Sequence, residues 1–561
     1  MLIPALFTAK YFYDTQGNLT KKDKPFSGGT RAITQYEYNP FGELIRLTDP
    51  AGIESTYEHD TYGNVSKITD GEGNYVEYTY DARNNLTSSK IGDDPAATYE
   101  YDGRSRLKKK IYPDGSFEEY TYDNNNNRLS FCDANGNTTT YEYNKLDQLI
   151  TETVDTDKQI TKYEYDAFGN ATKITRMITS ATTPPGGKTQ TITQMEYDYY
   201  NRVTKVIDDE GEITAYEYTN SPALLNHTQD FTKMIKYHSD GTPISVVTKT
   251  FDDCFRVTSI TDGQGNITNY NYDEVGNLTS VEDPNSSITT YEYADNNQKI
   301  KETNPLGEEI TFEYYDNGLL KSKTDAKGQK IDYSYDLAGK LKIISYPDAS
   351  SVQYQYNKYG KTSQMTDSQG ITNYTYNNRG WRTSIDGPET ADTITYTYDN
   401  IGNRLNMTDA DDVITTYTYD SRSLLKTVTN VSSGTTTFNY DMIGRPTGMK
   451  YANNIKTIWS NYGNDRIKEL RVINDTTSEL IANYHYNYNT LGQLITVTDK
   501  DNNTYNYTYD NAGMLEQENK KSSAGSDIYT RSYNYDPAGN RISENRDGQN
   551  ITYSYNQGNQ L

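Results

Sequence analysis

The side chains with most chemistry to offer are four histidines, two cysteines and a row of aspartates set in turns. His59, His227, His238 and His485 lie far apart. None falls in an HExxH phrase or shares zinc spacing with a cysteine, so structural or solvent-facing roles are expected for them. Cys132 and Cys254 sit at different places in a repeating phrase. That argues against a disulfide framework or a CxxC metal site and reads as incidental substitution, with a long-range pair left open. Asp70, Asp133, Asp262, Asp283 and Asp409 are the best metal candidates, because stacked acidic turns can align carboxylates for Ca²⁺. Neither the EF-hand pattern nor the Ca²⁺-binding nonapeptide is present, so turn formation is the expected role and no cofactor is assigned. No nucleophile elbow, phosphate loop or dinucleotide fingerprint opens a helix, and the reading is non-enzymatic. The 56 tyrosines are the remaining chemistry. Aromatic faces stack on sugars or grip partner chains, but rings present in every repeat point first to structure.

These residues belong to one recurring phrase. It appears as Tyr163-Glu-Tyr165-Asp166-Ala-Phe-Gly169-Asn170 and as Tyr270-Asn-Tyr272-Asp273-Glu-Val-Gly276-Asn277. It returns as Tyr396-Thr-Tyr398-Asp399-Asn-Ile-Gly402-Asn403 and as Tyr533-Asn-Tyr535-Asp536-Pro-Ala-Gly539-Asn540. The second Tyr recurs about every 21 residues, a repeat period. The markers run from Tyr38 through His59, Tyr80 and onward to Tyr462, Tyr488, Tyr509, Tyr535 and Tyr555. Tyrosines at period two, among Thr and Ile, make a strand. Asp-x-x-Gly-Asn makes a turn, the Asp bonding backbone N–H groups and Gly taking positive φ. A second strand and a second turn such as Asp262-Gly-Gln-Gly265 complete a hairpin. Leu278 and Val281 are three apart, which breaks strict alternation. A bulge, or Leu278 lying in the turn itself, would restore it.

A lone hairpin is marginal in water, so the units must pair with their neighbours. The fold class expected is all-β: one long spiralling antiparallel sheet of about 50 short strands, wound into a hollow tube or shell. Equal-length units in register would bring tyrosine against tyrosine on adjacent strands. Residues 1–30 read as a weak first repeat and linker, and 31–561 as a continuous array. Insertions fall near 171–194, 219–250, 464–482 and 513–528. The third of these reads as an extra-long hairpin, Ile467–Ile473 turning at Asn474. No terminal cap is visible before Leu561, so the shell is expected to be incomplete and the chain a piece of a longer protein.

Hydrophobic residues make up 33% and the net charge is -24, a balance that points toward disorder until the tyrosines are counted. The acidic surface argues against a nucleic-acid partner. No run long enough to cross a membrane as a helix occurs, and Met1–Phe7 lacks the features of a signal peptide. The sequons at Asn18, Asn85 and Asn277 follow from the phrase itself.

The phrase Tyr-x-Tyr-Asp-x-x-Gly-Asn-Leu, followed by Asp-x-x-Gly, resembles the RHS- or YD-repeat family. That family includes bacterial polymorphic toxins, wall-associated proteins, toxin-complex C subunits and teneurins. The resemblance implies a hollow β-shell, a secreted or cell-surface location, and a C-terminal toxin or effector partner enclosed or presented by the shell. Asp536-Pro537-Ala538-Gly539 matches the letters of the family's self-cleavage motif but sits at an ordinary repeat turn, so no protease role is carried over. The alternative reading is a cell-surface adhesion or carbohydrate-binding module that uses tyrosine ladders. The Trp-rich phrases of known sugar-binding repeats are missing, only Trp381 and Trp459 being present.

Overall fold

The computed structural model describes residues 9–26, 30–154, 159–178, 190–218, 231–237, 243–389, 392–441 and 443–561. The loop Thr183–Lys188, the segment with Ser221 and His227, His238 and the leader Met1–Phe7 lie outside these residues. Every element described is a strand. There are 49, from β1 (Lys10–Tyr13) to β49 (Gln549–Thr552), in one sheet. Each strand pairs antiparallel with the strand before and after it; β23 (Ile267–Tyr272), for example, pairs with β22 (Val257–Thr261) and β24 (Leu278–Glu282). The first and last strands do not pair with each other, so the sheet is an open ribbon.

Within each hairpin a bulge sits beside the turn. Tyr272 faces Leu278, Asn271 faces Ser280 and Tyr270 faces Val281, leaving Thr279 as the extra residue. The same shift falls before Tyr165, Tyr398 and Tyr535. It returns Leu278 and Val281 to the tyrosine face, which settles the irregular spacing in favour of a bulge.

The expected tyrosine-on-tyrosine ladder is not formed. Tyr163 faces Ile174, Tyr270 faces Val281, Tyr396 faces Met407 and Tyr533 faces Glu544. Each unit contributes two strands and only one carries the rings. Tyrosine columns therefore stand two strands, about 10 Å, apart with mostly aliphatic side chains between them.

The second tyrosine joins one hairpin to the one before. The ladder between β22 and β23 holds only Ser259–Asn269, Thr268–Ile260 and Thr261–Ile267, and stops short of the Asp-turn edge. There Tyr272 Oη donates to the Val257 carbonyl at 3.0 Å. Tyr165 does so to Leu149 at 2.7 Å, Tyr398 to Arg382 at 2.6 Å and Tyr535 to Leu515 at 3.0 Å. Seventeen described repeats carry this staple. A hydroxyl at the end of a rigid ring thus satisfies a carbonyl that the splayed backbone cannot reach.

The wall is one layer thick. Few apolar side chains are buried among the described residues, Phe26, Ala97, Ile235, Val497 and Tyr533 being examples. The accessible surface is 31312 Å². A compact protein of this mass exposes about 20,000 Å². The excess is what a sheet wet on both faces produces.

The ribbon winds on itself. The turn after β4 (Leu44–Thr48) meets the turn after β27 (Glu309–Tyr314), where Asn317 Nδ2 donates to Asp49 Oδ2 at 3.0 Å. The turn after β8 (Leu86–Ile91) meets that after β31 (Ser351–Tyr356) through Lys358 and Asp94, 2.6 Å apart. The turn after β18 (Val203–Ile207) meets that after β41 (Ile455–Asn461) through Arg466 and Glu212, bonded at 2.7 and 2.8 Å. The turn after β24 meets that after β47 (Asp527–Tyr535) through Asn285 and Asp536 at 2.9 Å. The offset is 23 strands each time, so the chain makes just over two coils. At about 4.8 Å per strand a coil is roughly 110 Å around and about 35 Å across. Because 23 is odd, the Asp turn of one coil always stacks on the opposite edge of the other.

That seam is close. A Cβ on Gly71 would lie 2.0 Å from the Leu337 carbonyl oxygen, and one on Gly263 2.1 Å from that of Asn511. Arg379 closes a third contact. It donates to Ser116 Oγ at 2.9 Å and to the Asn400 carbonyl at 2.8 Å, and its guanidinium lies 3.4 Å from the Tyr112 ring centre.

Three outcomes follow from the staple and the seam. Tyr272→Phe keeps the ring and loses the hydroxyl, and should cost about 1 kcal/mol in denaturant unfolding, where Tyr272→Ala should cost about 3 or more. Burial pushes the hydroxyls of Tyr80, Tyr143, Tyr272 and Tyr335 above their ordinary value of 10.0. The fold favours the protonated form, so this stability is complete below pH 10 and is lost as pH rises through the raised values. Tyrosinate absorbance and loss of strand signal should therefore rise together in alkaline titration. Gly263→Ala should open the seam, seen as faster amide exchange at both 262–265 and 510–513. Protection unchanged at 510–513 would contradict the coil.

Candidate functional site: the turns, the seam and the free rim

The Asp turn is built the same way in all four phrases singled out above. Asp273 Oδ1 accepts from the backbone N–H of Val275 at 3.0 Å and of Asn277 at 2.8 Å, and Oδ2 accepts from Asn277 Nδ2 at 2.8 Å. Gly276 takes φ 101°, and Gly169, Gly402 and Gly539 take 91°, 99° and 87°. Asp166 with Asn170, Asp399 with Asn403 and Asp536 with Asn540 repeat these bonds. The side-chain bond from Asn170 leads the interactions that hold Asp166 below the usual carboxylate range. For Asp273 and Asp399 burial pulls the other way and the hydrogen bonds overcome it.

The asparagine has a second task. Asn170 Nδ2 also donates to Asn201 Oδ1 at 2.8 Å, Asn277 to Asn297 at 3.2 Å, and Asn540 to Asn559 at 2.8 Å. Where arginine replaces it, the link persists: Arg256 Nη1 donates to the Asp273 carbonyl at 2.9 Å. Neighbouring Asp turns are thus tied edge to edge, by a bond that only the tertiary register reveals.

The metal candidates do not converge. Asp70, Asp133 and Asp262 bond the Asn four residues on, Asp283 bonds Ser287 N and Asn559, and Asp409 bonds Val413 N. No group of three His, Cys, Asp or Glu residues stands at metal-binding distance among the described residues. Cys132 and Cys254 are free thiols. His59 occupies a staple position facing Val65, and His485 Nε2 lies 3.6 Å from Glu469. Asp536 of the Asp-Pro-Ala-Gly phrase bonds Asn540 and, across the seam, Asn285. Tyr462 is not a staple: Asn461 holds that register and Tyr462 takes the place of the turn Asp.

The residue two beyond the turn Asp separates the coils. On the first it includes Phe41, Tyr62, Leu146 and Phe168, exposed by 88%, 74%, 77% and 74%, beside the exposed Arg83, Arg104 and Asn125. On the second it is Tyr359, Ile401, Ile443 and Leu491, half-buried at or beside the seam. Tyr359 donates to Asp94, and burial and that bond push its hydroxyl to about 12. The first coil therefore ends in a free rim that carries several exposed apolar side chains among polar ones.

A teneurin YD-shell family model matches residues 226–366, and an RHS-repeat model matches 13–56, 38–75, 59–94, 122–160 and 488–523. No curated protein matches the sequence. Among solved structures, the crystal structure of TcdB2-TccC3-TEV has a TM-score of 0.64 at 14% identity over 98% of this chain and 36% of that one. TcdB2-TccC3 without its hypervariable C-terminal region gives 0.62 at 13%, with 98% and 36% covered. The Photorhabdus luminescens Tc holotoxin pore gives 0.60 at 14%, with the same coverage. At these identities the likeness is one of fold, and the chain spans about a third of the length of those chains. The two repeat models together match just over half of the chain, and the chain belongs to the RHS/YD-repeat family.

Proposed function

We propose that this chain is a non-enzymatic scaffold, the wall of a shell that encloses or presents a C-terminal toxin or effector of a bacterial secreted or surface protein. The observation that carries this reading is the coil itself. Two seamed turns of a single-layer sheet surround a space instead of a packed core, and every turn carboxylate described above is spent on holding the wall. Likeness to TcdB2-TccC3, one form of which lacks a hypervariable C-terminal region, supports a cargo on that side of the chain. The free rim of Phe41, Tyr62 and Phe168 suits an edge that stacks as the second coil does. No helix long and apolar enough to cross a membrane occurs among the described residues. The exposed rim rings also suit the alternative, adhesion through glycans. A glycan array read with and without Phe41→Ser and Tyr62→Ser decides that point.

Enclosure is tested by fusing an unstructured, protease-cleavable reporter after Leu561. Cleavage should be slowed about tenfold or more relative to the free reporter, and protection should fall in the seam variant Gly263→Ala. Cleavage at the free rate in both proteins would remove the cargo reading and leave the scaffold.

A further inference from the structure

Three repeats share a three-part set: an arginine closing the Asp turn, the carbonyl of the next residue, and the staple tyrosine of the following hairpin. Arg106, Leu107 and Tyr122 form one, Arg202, Val203 and Tyr218 the second, Arg256, Val257 and Tyr272 the third. The guanidinium carbon lies 4.7, 4.3 and 4.7 Å from the ring centre. The hydroxyl donates to the carbonyl at 3.0, 2.8 and 3.0 Å.

A fourth set begins with Arg445 and Pro446 and has no ring. Asn461 stands in the staple register, facing Ile467 as Tyr272 faces Leu278. Its amide reaches the Pro446 carbonyl at only 3.4 Å. Where the ring would lie is a cavity of about 360 Å³, lined by Phe438, Met449, Trp459, Arg445, Pro446 and Asn461 among others. Arg445 is fixed in place: Nε bonds Asp441 at 2.6 Å, and Nη1 bonds the Tyr462 carbonyl at 2.7 Å and Asp465 at 3.0 Å. The repeat has lost its own tyrosine and kept everything that elsewhere receives it.

We propose that this cavity is a binding site for a para-substituted phenol. The ring takes the vacant place against Trp459, Phe438 and Met449, with the Arg445 guanidinium over its face as in the three complete sets. The hydroxyl donates to the Pro446 carbonyl and displaces the long Asn461 bond. A mostly apolar cavity whose one cation, Arg445, is held by Asp441 and by Asp465 at the rim, with one acceptor carbonyl, has the polarity of such a ligand. The site goes beyond the shell reading and does not depend on it.

The test titrates the full chain with p-cresol, following tryptophan fluorescence and saturation-transfer NMR. Toluene serves as the ligand without a hydroxyl, and Asn461→Tyr and Asn461→Phe serve as variants with the space filled. Binding of p-cresol is expected in the parent chain, about tenfold weaker for toluene and weakened at least about tenfold in both variants. Asn461→Tyr restores the repeat's own residue, so its melting temperature should rise. No binding to the parent chain, equal binding of toluene, or binding unchanged by the filled variants would each overturn the site. Binding of acetyl-Gly-Tyr-Gly-amide as well as p-cresol would assign a tyrosine of another polypeptide as the source. Binding of p-cresol alone would assign a free phenol.

Discussion

The bond on which the structure depends is the one from each staple tyrosine to the carbonyl of the preceding hairpin. Between hairpins the backbone ladder is only about three residues long and stops before the Asp-turn edge. Left there, each unit would hinge on its neighbour and the edge carbonyls would be unsatisfied. A phenol solves both problems. Its ring covers the aliphatic column beside it, and its hydroxyl reaches across the gap. Each such bond contributes little, on the order of 1 kcal/mol, yet it recurs in seventeen described repeats and acts at the same edge. The tyrosine content, which compensates for few aliphatics, is thus a consequence of building with a wall one layer thick.

A second constraint sets the shape. The Asp turns are tied to one another by Asn or Arg, and the same turns must meet the opposite edge of the next coil. Gly71 and Gly263 are glycine because a carbonyl of the other coil occupies the space of a side chain. Lys358, Arg379 and Arg466 supply cations to Asp94, Asp114 and Glu212 along this line. In an acidic chain these are the places where opposite charge is spent on joining distant segments. Each pair is partly exposed, so specificity of register is a better description of their role than strength.

Much of this was legible in the sequence. The period, the strand pairs, the Asp-x-x-Gly-Asn turn and a total near 50 strands all come from local pattern, because hairpin structure is a local property. The bulge showed only as the irregular spacing of Leu278 and Val281. What was not legible depends on neighbours distant in the chain. Tyr272 reveals its acceptor only once β22 and β23 are placed side by side. Asn277 looks like a turn residue and is also a link to Asn297. Asn317 and Asp49 carry no mark that they meet, since a 23-strand coil is set by small rotations summed over the sheet. Counting tyrosines also misled in two ways: it set ring against ring where aliphatics intervene, and it took Tyr462 for a staple where Asn461 stands.

The central claim is that residues about 264 apart are neighbours because the ribbon coils. Lys358 and Asp94 are the pair that tests it most directly, 2.6 Å apart and 264 residues distant. Zero-length carbodiimide coupling of the unmodified chain, followed by peptide mass spectrometry, should yield a peptide joining Lys358 to Asp94 in the monomer. Coupling of Asp94 only to lysines near it in the chain, with Lys358 left free, would contradict the coil.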